Sequence, residues 1–193
     1  GTDTTTRIIS KELGTALGVG MVIENKAGAN GSIAASFVAR SAPDGYTLFV
    51  TTNTSHSANP YLLKNMTYDP IKDFTPIART GDLPFMLVLH PDVPANSVAE
   101  LIALAKKEPG KYSYASGSSS AIVSGATFAR LANIDLLHVP YKSSPPALTD
   151  VIAGRVSMMF VDVLTGLPHV KGKALKALAV TTRQPSALLP QLP

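Results

Sequence analysis

The feature that most constrains this chain is a junction that recurs along it: an apolar strand runs into a small, polar, glycine- or serine-rich turn that opens a helix. Clear copies are Met21-Val-Ile-Glu-Asn25 into Lys26-Ala-Gly-Ala-Asn-Gly31, and Tyr112-Ser-Tyr-Ala-Ser116 into Gly117-Ser-Ser-Ser-Ala121. A third is Tyr46-Thr-Leu-Phe-Val-Thr-Thr52 into Asn53-Thr-Ser-His56, and Gly1-Thr-Asp3 reads as a fourth. Strand–turn–helix repetition points to the α/β class, with largely parallel sheets. Turns of this kind also set backbone N–H groups at the positive end of a helix, where an anion is favoured.

At 193 residues there is room for one large domain or two small ones. Apolar residues make up 45% of the chain, and no apolar run approaches the roughly 20 residues needed to span a bilayer. No signal peptide is legible, which leaves open a processed part of a secreted protein. With no cysteine there is no disulfide, thiol catalysis or thiolate metal site. The net charge of +4 is dispersed rather than gathered on an aromatic-interleaved stripe, so nucleic acid is not an expected partner.

Periodicity and punctuation predict the elements. A helix runs from Asp3, as N-cap, to Leu17 and stops at Gly18 and Gly20; a strand covers 21–25 and a helix Ser32 to about Ala42. The Pro43-Asp-Gly45 turn feeds a strand over 46–52, and a short helix follows at 57–63. Apolar stretches at 74–78 and 85–89 flank Arg79-Thr-Gly-Asp-Leu-Pro84, read as a crossover between domains. Ser97-Val-Ala-Glu100 is a capping box and Pro109-Gly110 ends its helix. Strands at 112–115, 136–140, 157–162 and 175–181 then alternate with helices at about 121–132, 145–154 and 164–171. Both ends are expected to be truncated, because residue 1 already stands at a strand-to-helix turn and residues 186–193 follow a linker-like stretch.

No catalytic apparatus accompanies the turns. His56, His90, His138 and His169 lack a Gly-x-Ser-x-Gly elbow, no His or carboxylate pair stands at metal-ligand spacing, and Gly18-Val-Gly20 precedes a strand rather than following one. His56, His90 and His138 read as half-buried structural residues.

The turn sequences carry a resemblance. Gly1-Thr-Asp3, Val22-Ile-Glu-Asn-Lys-Ala-Gly-Ala-Asn-Gly31, Ala42-Pro-Asp-Gly-Tyr-Thr-Leu48, Tyr68-Asp-Pro-Ile-Lys-Asp-Phe74, Ser97-Val-Ala-Glu-Leu101, His138-Val-Pro-Tyr-Lys142, Pro146-Ala-Leu-Thr-Asp150 and Leu178-Ala-Val-Thr181 resemble, in order, the extracytoplasmic receptors of tripartite tricarboxylate transporters, also called Bug-type receptors. Each motif is weak alone; the ordered set is specific. The resemblance implies an α/β periplasmic binding protein of type II-like form, with two α/β domains and an interdomain ligand cleft. It implies a monomer that captures a small organic anion, a di- or tricarboxylate or related carboxylate, and hands it to the membrane permease subunits of a transporter. Domain 1 would comprise 1–80 with a returning segment 182–193, and domain 2 residues 81–181. Against the family pattern the chain is expected to lack the start of domain 1 and the returning C-terminal portion, and it has one glycine where similar receptors carry a pair before Thr-Asp. No metal or organic cofactor is implied. An α/β enzyme acting on a small carboxylate and a ligand-sensing module with the same clamshell are the alternatives.

The candidate ligand-binding residues are Gly1, Thr2, Asp3, Ala29, Asn30, Gly31, Ser32, Thr52, Asn53, Thr54, Ser118, Ser119, Ser120, Lys142 and Asp162. They offer N–H groups, hydroxyls and amides with no arginine among them, which suits a receptor that must release its cargo, since bidentate Arg–carboxylate pairing is strong. N–H groups at the starts of the helices near 2, 121 and 145 are expected to share one carboxylate's charge. Three serines at 118–120 exceed the one that a helix cap needs. Asn30 suits a left-handed turn position and Ser32 a cap. Asp3 and Asp162 would repel a carboxylate; Asp3 reads better as a cap, while Asp162, at a strand end, could select an amino, amide or hydroxyl group. Lys142 reads first as a solvated lysine.

Overall fold

The computed structural model describes residues 1–184, 186 and 188–193. It divides into two compact units, Gly1–Arg79 and Thr80–Pro193.

The second unit is built on a five-stranded sheet of order β3-β2-β4-β1-β5. The strands are β1 (Phe85–Leu89), β2 (Ser113–Ser116), β3 (Leu137–Pro140), β4 (Met158–Asp162) and β5 (Lys176–Val180). β2 runs parallel to β3 and β4, but β1 is antiparallel to both β4 and β5. The sheet is therefore mixed, which corrects the largely parallel expectation. β1 enters from the 80–84 segment rather than from a helix of this unit, so no right-handed crossover fixes its direction.

Alternation along the strands sorts the core into two faces. Met86, Val88, Met159 and Val161 point to one side with Ala147, Leu148 and Val151; Leu87, Leu89, Met158 and Phe160 point to the other with Leu101 and Ala105. The first layer is closed by α6 (Ser144–Ile152) and α7 (Val163–Lys171). The second is closed by α4 (Val98–Lys107), with Phe128 of α5 (Ser119–Ala132) packed against it. Apolar residues on both faces are why β1 and β4 read as unbroken apolar runs. Each buried aliphatic side chain here stabilises the unit by about 1.5–3 kcal/mol.

Helix termini in this unit follow the sequence closely. Ser97 Oγ accepts from Glu100 N–H at 3.1 Å and Glu100 Oε2 accepts from Asn96 N–H at 2.8 Å, so the capping box forms with its return bond displaced by one residue. The described residues of 182–193, expected to return to the first domain, cluster with the second unit, where Val180 N–H donates to Pro193 O at 2.8 Å.

The first unit is a different kind of object. It contains α1 (Thr2–Leu17), a 3₁₀ turn Ala29–Gly31 leading into α2 (Ser32–Ala39), a π turn Thr54–Ala58 and the short α3 (Asn59–Leu62). The expected strands at 21–25 and 46–52, and the 74–78 stretch, join no ladder among the described residues. A strand exists only where a neighbour takes its N–H and C=O groups, and here Val22 and Tyr46 stand 97% and 91% exposed. α2 ends three residues short of Ala42, and α1 is capped by Gly1 rather than Asp3. α1 buries none of its residues; its predicted stop at Gly18 is a left-handed cap with φ 67°.

Candidate functional site

In the first unit the candidate residues other than Gly1, Thr2 and Asp3 collect around two turns. The 28–31 turn is left-handed throughout: φ is 123° at Gly28, 45° at Ala29, 53° at Asn30 and 81° at Gly31. Glycine and asparagine tolerate this region; Ala29 does not do so readily, and such backbone persists only where its surroundings hold it. Gly31 N–H donates to Gly28 O at 2.9 Å and Ser32 N–H to Ala29 O, so the turn itself consumes the backbone N–H groups of the candidate residues Gly31 and Ser32. Gly31, not Ser32, caps α2; the Ser32 hydroxyl instead accepts from Asn59 Nδ2 at 3.2 Å.

Asn59 is fully buried, and the same Nδ2 lies 3.1 Å from Asn30 O and 3.2 Å from Tyr68 Oη. Tyr68 Oη in turn donates to Ser55 O at 2.7 Å. Ser55 Oγ lies 2.6 Å from Thr51 Oγ1 and 3.0 Å from His56 Nδ1, while Thr52 Oγ1 accepts from Thr54 N–H at 3.4 Å. Thr54 is buried and Asn53 exposed. His56 packs against Phe74 at a tilt of 58°, centroids 5.0 Å apart, and burial pushes its pKa down. The turns at 28–32 and 51–56 are thus brought together by Asn59, Tyr68 and Ser55, none of which is among the candidate ligand-binding residues. The available signal was a polar residue immediately before Pro60 at a helix start, a position that also fits a cap.

Gly1 and Thr2 open α1, where Gly1 O accepts from Thr5 N–H at 2.9 Å and Thr2 O from Thr6 Oγ1 at 2.8 Å. Asp3 sits in the first turn, not at the cap. Its carboxylate accepts from Arg7 Nε at 2.9 Å and Asn25 Nδ2 at 2.8 Å, and these two bonds hold its pKa below the usual carboxylate range. A groove of about 510 Å³ runs along α1, lined by Arg7, Ser10, Lys11, Gly14, Thr15, Gly18, Val19, Met21 and Ile23. None of the candidate residues lines it.

In the second unit the candidates stand at the carboxyl ends of parallel strands. β2 ends at Ser116, and Ser118 caps α5, its Oγ accepting from Ala121 N–H at 3.2 Å. Ser119 is fully buried and Ser120 half-buried in the first turn of α5. One serine is therefore the cap and two stand beyond it. Neighbouring β3 leads through the exposed Lys142 to Ser143, the N-cap of α6. Pro145 and Pro146 carry no N–H, so the start of α6 has fewer donors than expected for sharing an anion's charge.

These two junctions are pressed together at Gly117, where a Cβ would lie 2.2–2.3 Å from the backbone of Ser143 and Ser144. Only glycine allows that approach, and it sets the serines of both loops side by side at the positive ends of α5 and α6. Behind them Ser116 Oγ lies 2.6 Å from His138 Nε2, and the His138 ring stacks on Tyr114 at 4.7 Å. Burial lowers the His138 pKa. Asp162 caps α7 by accepting from Thr165 N–H at 2.9 Å and is 7% exposed, so part of its carboxylate is engaged in the fold.

Among the described residues no helix is long and apolar enough to cross a membrane, and no group of three or more His, Asp or Glu side chains could hold a metal ion.

The family model of the tripartite tricarboxylate transporter family receptor matches residues 5–193. Protein BugT of Bordetella pertussis is 31% identical over 195 residues, covering 100% of this chain and 60% of BugT. Among solved structures, Rpa4515 of R. palustris with adipate is 34% identical with a TM-score of 0.92, covering 95% of this chain and 62% of that one. MatC (Rpa3494) from Rhodopseudomonas palustris with bound malate is 30% identical with a TM-score of 0.92, covering 100% and 66%. The chain thus spans about three fifths of the length of the relatives it matches. By its ordered motifs, its β-strand-end serine turns and these matches, the chain belongs to the tripartite tricarboxylate transporter family of receptors, of the Bug type.

Proposed function

We propose that the protein is a periplasmic solute receptor that captures a small carboxylate and delivers it to the permease subunits of a tripartite transporter. The observation that carries this is the pair of strand-end junctions locked at Gly117, with Ser118, Ser119 and Ser120 beside Ser143 and no arginine in either loop. Such a cluster offers neutral hydroxyl and N–H donors at helix N-termini, which hold an anion firmly enough to capture it and loosely enough to release it. The adipate and malate of the two structural relatives make a dicarboxylate the first class to test.

In this reading the left-handed 28–32 turn, Thr52–Thr54 and the Gly1–Asp3 helix start add contacts from residues 1–80, and 81–181 form the second domain. Lys142, exposed at the end of β3, draws anions toward the serine turns without pairing with them tightly. Asp162 orients a hydroxyl or water rather than a carboxylate. The receptor works as a monomer with no cofactor.

Isothermal titration with adipate and with malate tests the proposal. Saturable binding of either, with the ligand recovered unchanged, is the expected result, and ligand at 100 times its dissociation constant should add about 2.7 kcal/mol of stability. A folded protein that binds neither, or that converts one of them, overturns it.

A further inference from the structure

We infer that Asn59 is the positioning residue for the 28–32 turn, setting the geometry that this turn presents to ligand. The inference rests on the receptor reading for its consequence but not for its structural content. Asn59 is 0% exposed at the start of α3, and its amide nitrogen is turned toward two other segments, the 28–32 turn and Tyr68. Its Nδ2 lies within 3.1–3.2 Å of the Asn30 carbonyl, the Ser32 hydroxyl and the Tyr68 hydroxyl. Because the Tyr68 proton goes to Ser55 O, Tyr68 Oη faces Asn59 as an acceptor. With the Asn30 carbonyl and the Ser32 hydroxyl it makes three acceptors for two Nδ2 hydrogens, which orients the carboxamide with its NH₂ toward the turn and leaves one hydrogen shared between two of them.

That orientation falls on the segment that most needs support. Ala29, Asn30 and Gly31 are all left-handed, and the turn's own bonds, Gly31 N–H to Gly28 O and Ser32 N–H to Ala29 O, close it only upon itself. The Asn59 bond to Asn30 O grips the middle of the left-handed run from outside, and the bond to Ser32 grips its exit. The same amide reaches the 54–58 turn through Tyr68 and Ser55. One buried side chain thus registers the two turns of the first unit against each other. A leucine of similar size would fill the space without asking for partners, whereas a buried amide is stable only when its hydrogen bonds are made, so it specifies one arrangement of the chain.

The test compares the wild-type chain with Asn59→Asp and Tyr68→Phe, by amide hydrogen exchange and by titration with adipate and malate. Asn59→Asp keeps the shape and removes the donors. Tyr68→Phe keeps the ring against Phe74 and removes only the hydroxyl that orients Asn59. In Asn59→Asp, exchange across 29–33 should accelerate at least about tenfold while the 113–122 region is unchanged, and dicarboxylate affinity should fall at least about tenfold, as when outer-shell partners of a ligating group are lost. Tyr68→Phe should shift both readouts the same way by less, and it carries the test alone if Asn59→Asp does not fold. Unchanged exchange at 29–33 in a folded variant overturns the inference, and so does full affinity alongside accelerated exchange. Should the wild type bind neither dicarboxylate, the receptor reading fails, and the exchange comparison still decides whether Asn59 holds the turn.

Discussion

The two units of this chain are held together by different physics. In Gly1–Arg79 the buried side chains are mostly polar, with Ser32, Ser36, Thr54, Ser55 and Asn59 inside and Ala35 and the ring of Tyr68 beside them. In Thr80–Pro193 two apolar layers close on both faces of one sheet. Apolar burial is nondirectional and roughly additive with area, whereas a buried hydrogen bond contributes little net but is costly to leave unmade. The second unit is therefore expected to supply most of the stability, and the first to supply geometry: a network that loses precision before it loses a fold.

The largest test of that division removes apolar volume. Leu101, 0% exposed on α4 in the layer with Leu87, Leu89 and Met158, should cost about 2–5 kcal/mol as Leu101→Ala in urea unfolding. Ser36, 4% exposed and bonded through its hydroxyl to Thr67, should cost about 1 kcal/mol as Ser36→Ala. Equal losses would break the comparison. Next in size is Gly117→Ala, whose Cβ strikes backbone rather than a movable side chain. Overpacking of this kind costs about 1–3 kcal/mol, and here it also separates the two serine loops, so carboxylate affinity should fall with stability. A Gly117→Ala variant that melts and binds like wild type would show that the junctions do not need their close approach.

Much of the second unit is written locally. The capping box at Ser97 and Glu100, the Ser118 cap and the apolar runs of β1 and β4 appear where periodicity and side-chain chemistry put them, because each is decided within a turn or two of chain. Removing the Ser97 hydroxyl as Ser97→Ala should accordingly cost about 1 kcal/mol, measured by the thermal midpoint, without altering ligand affinity. The direction of β1 was not legible, since five apolar residues carry no arrow and the connection that enters them decides it. Nor was the absence of strand pairing in the first unit, because Val22 and Tyr46 have strand-forming sequence around them and yet no ladder partner among the described residues. The site divides the same way. Serines in excess of one cap could be read at 118–120, and left-handed character at Asn30. The Asn59 bonds to Asn30 and Ser32 close loops of 29 and 27 residues, and Gly117 meets Ser143 across two strands; no local pattern announces either.

The smallest expected effect compares one histidine from each unit. Burial lowers the pKa of His56, among Ser55, Phe49 and Phe74, and of His138, between Ser116 and Tyr114. Each takes up a proton less readily folded than unfolded, so the unfolded state binds more protons as pH falls through the ordinary histidine range. Stability is then full above that range and declines as pH drops toward the lowered folded value. A wild-type urea midpoint that falls from about pH 7.5 to about pH 5.5, with the slope reduced in His138→Gln, is the outcome expected for the second unit. Loss of the His56 contribution should instead appear as faster exchange in residues 51–58 with the midpoint nearly unchanged, because the first unit's network can loosen without unfolding the apolar sheet. If His56→Gln moved the global midpoint as much as His138→Gln, the polar unit would be bearing stability that its few apolar contacts do not explain.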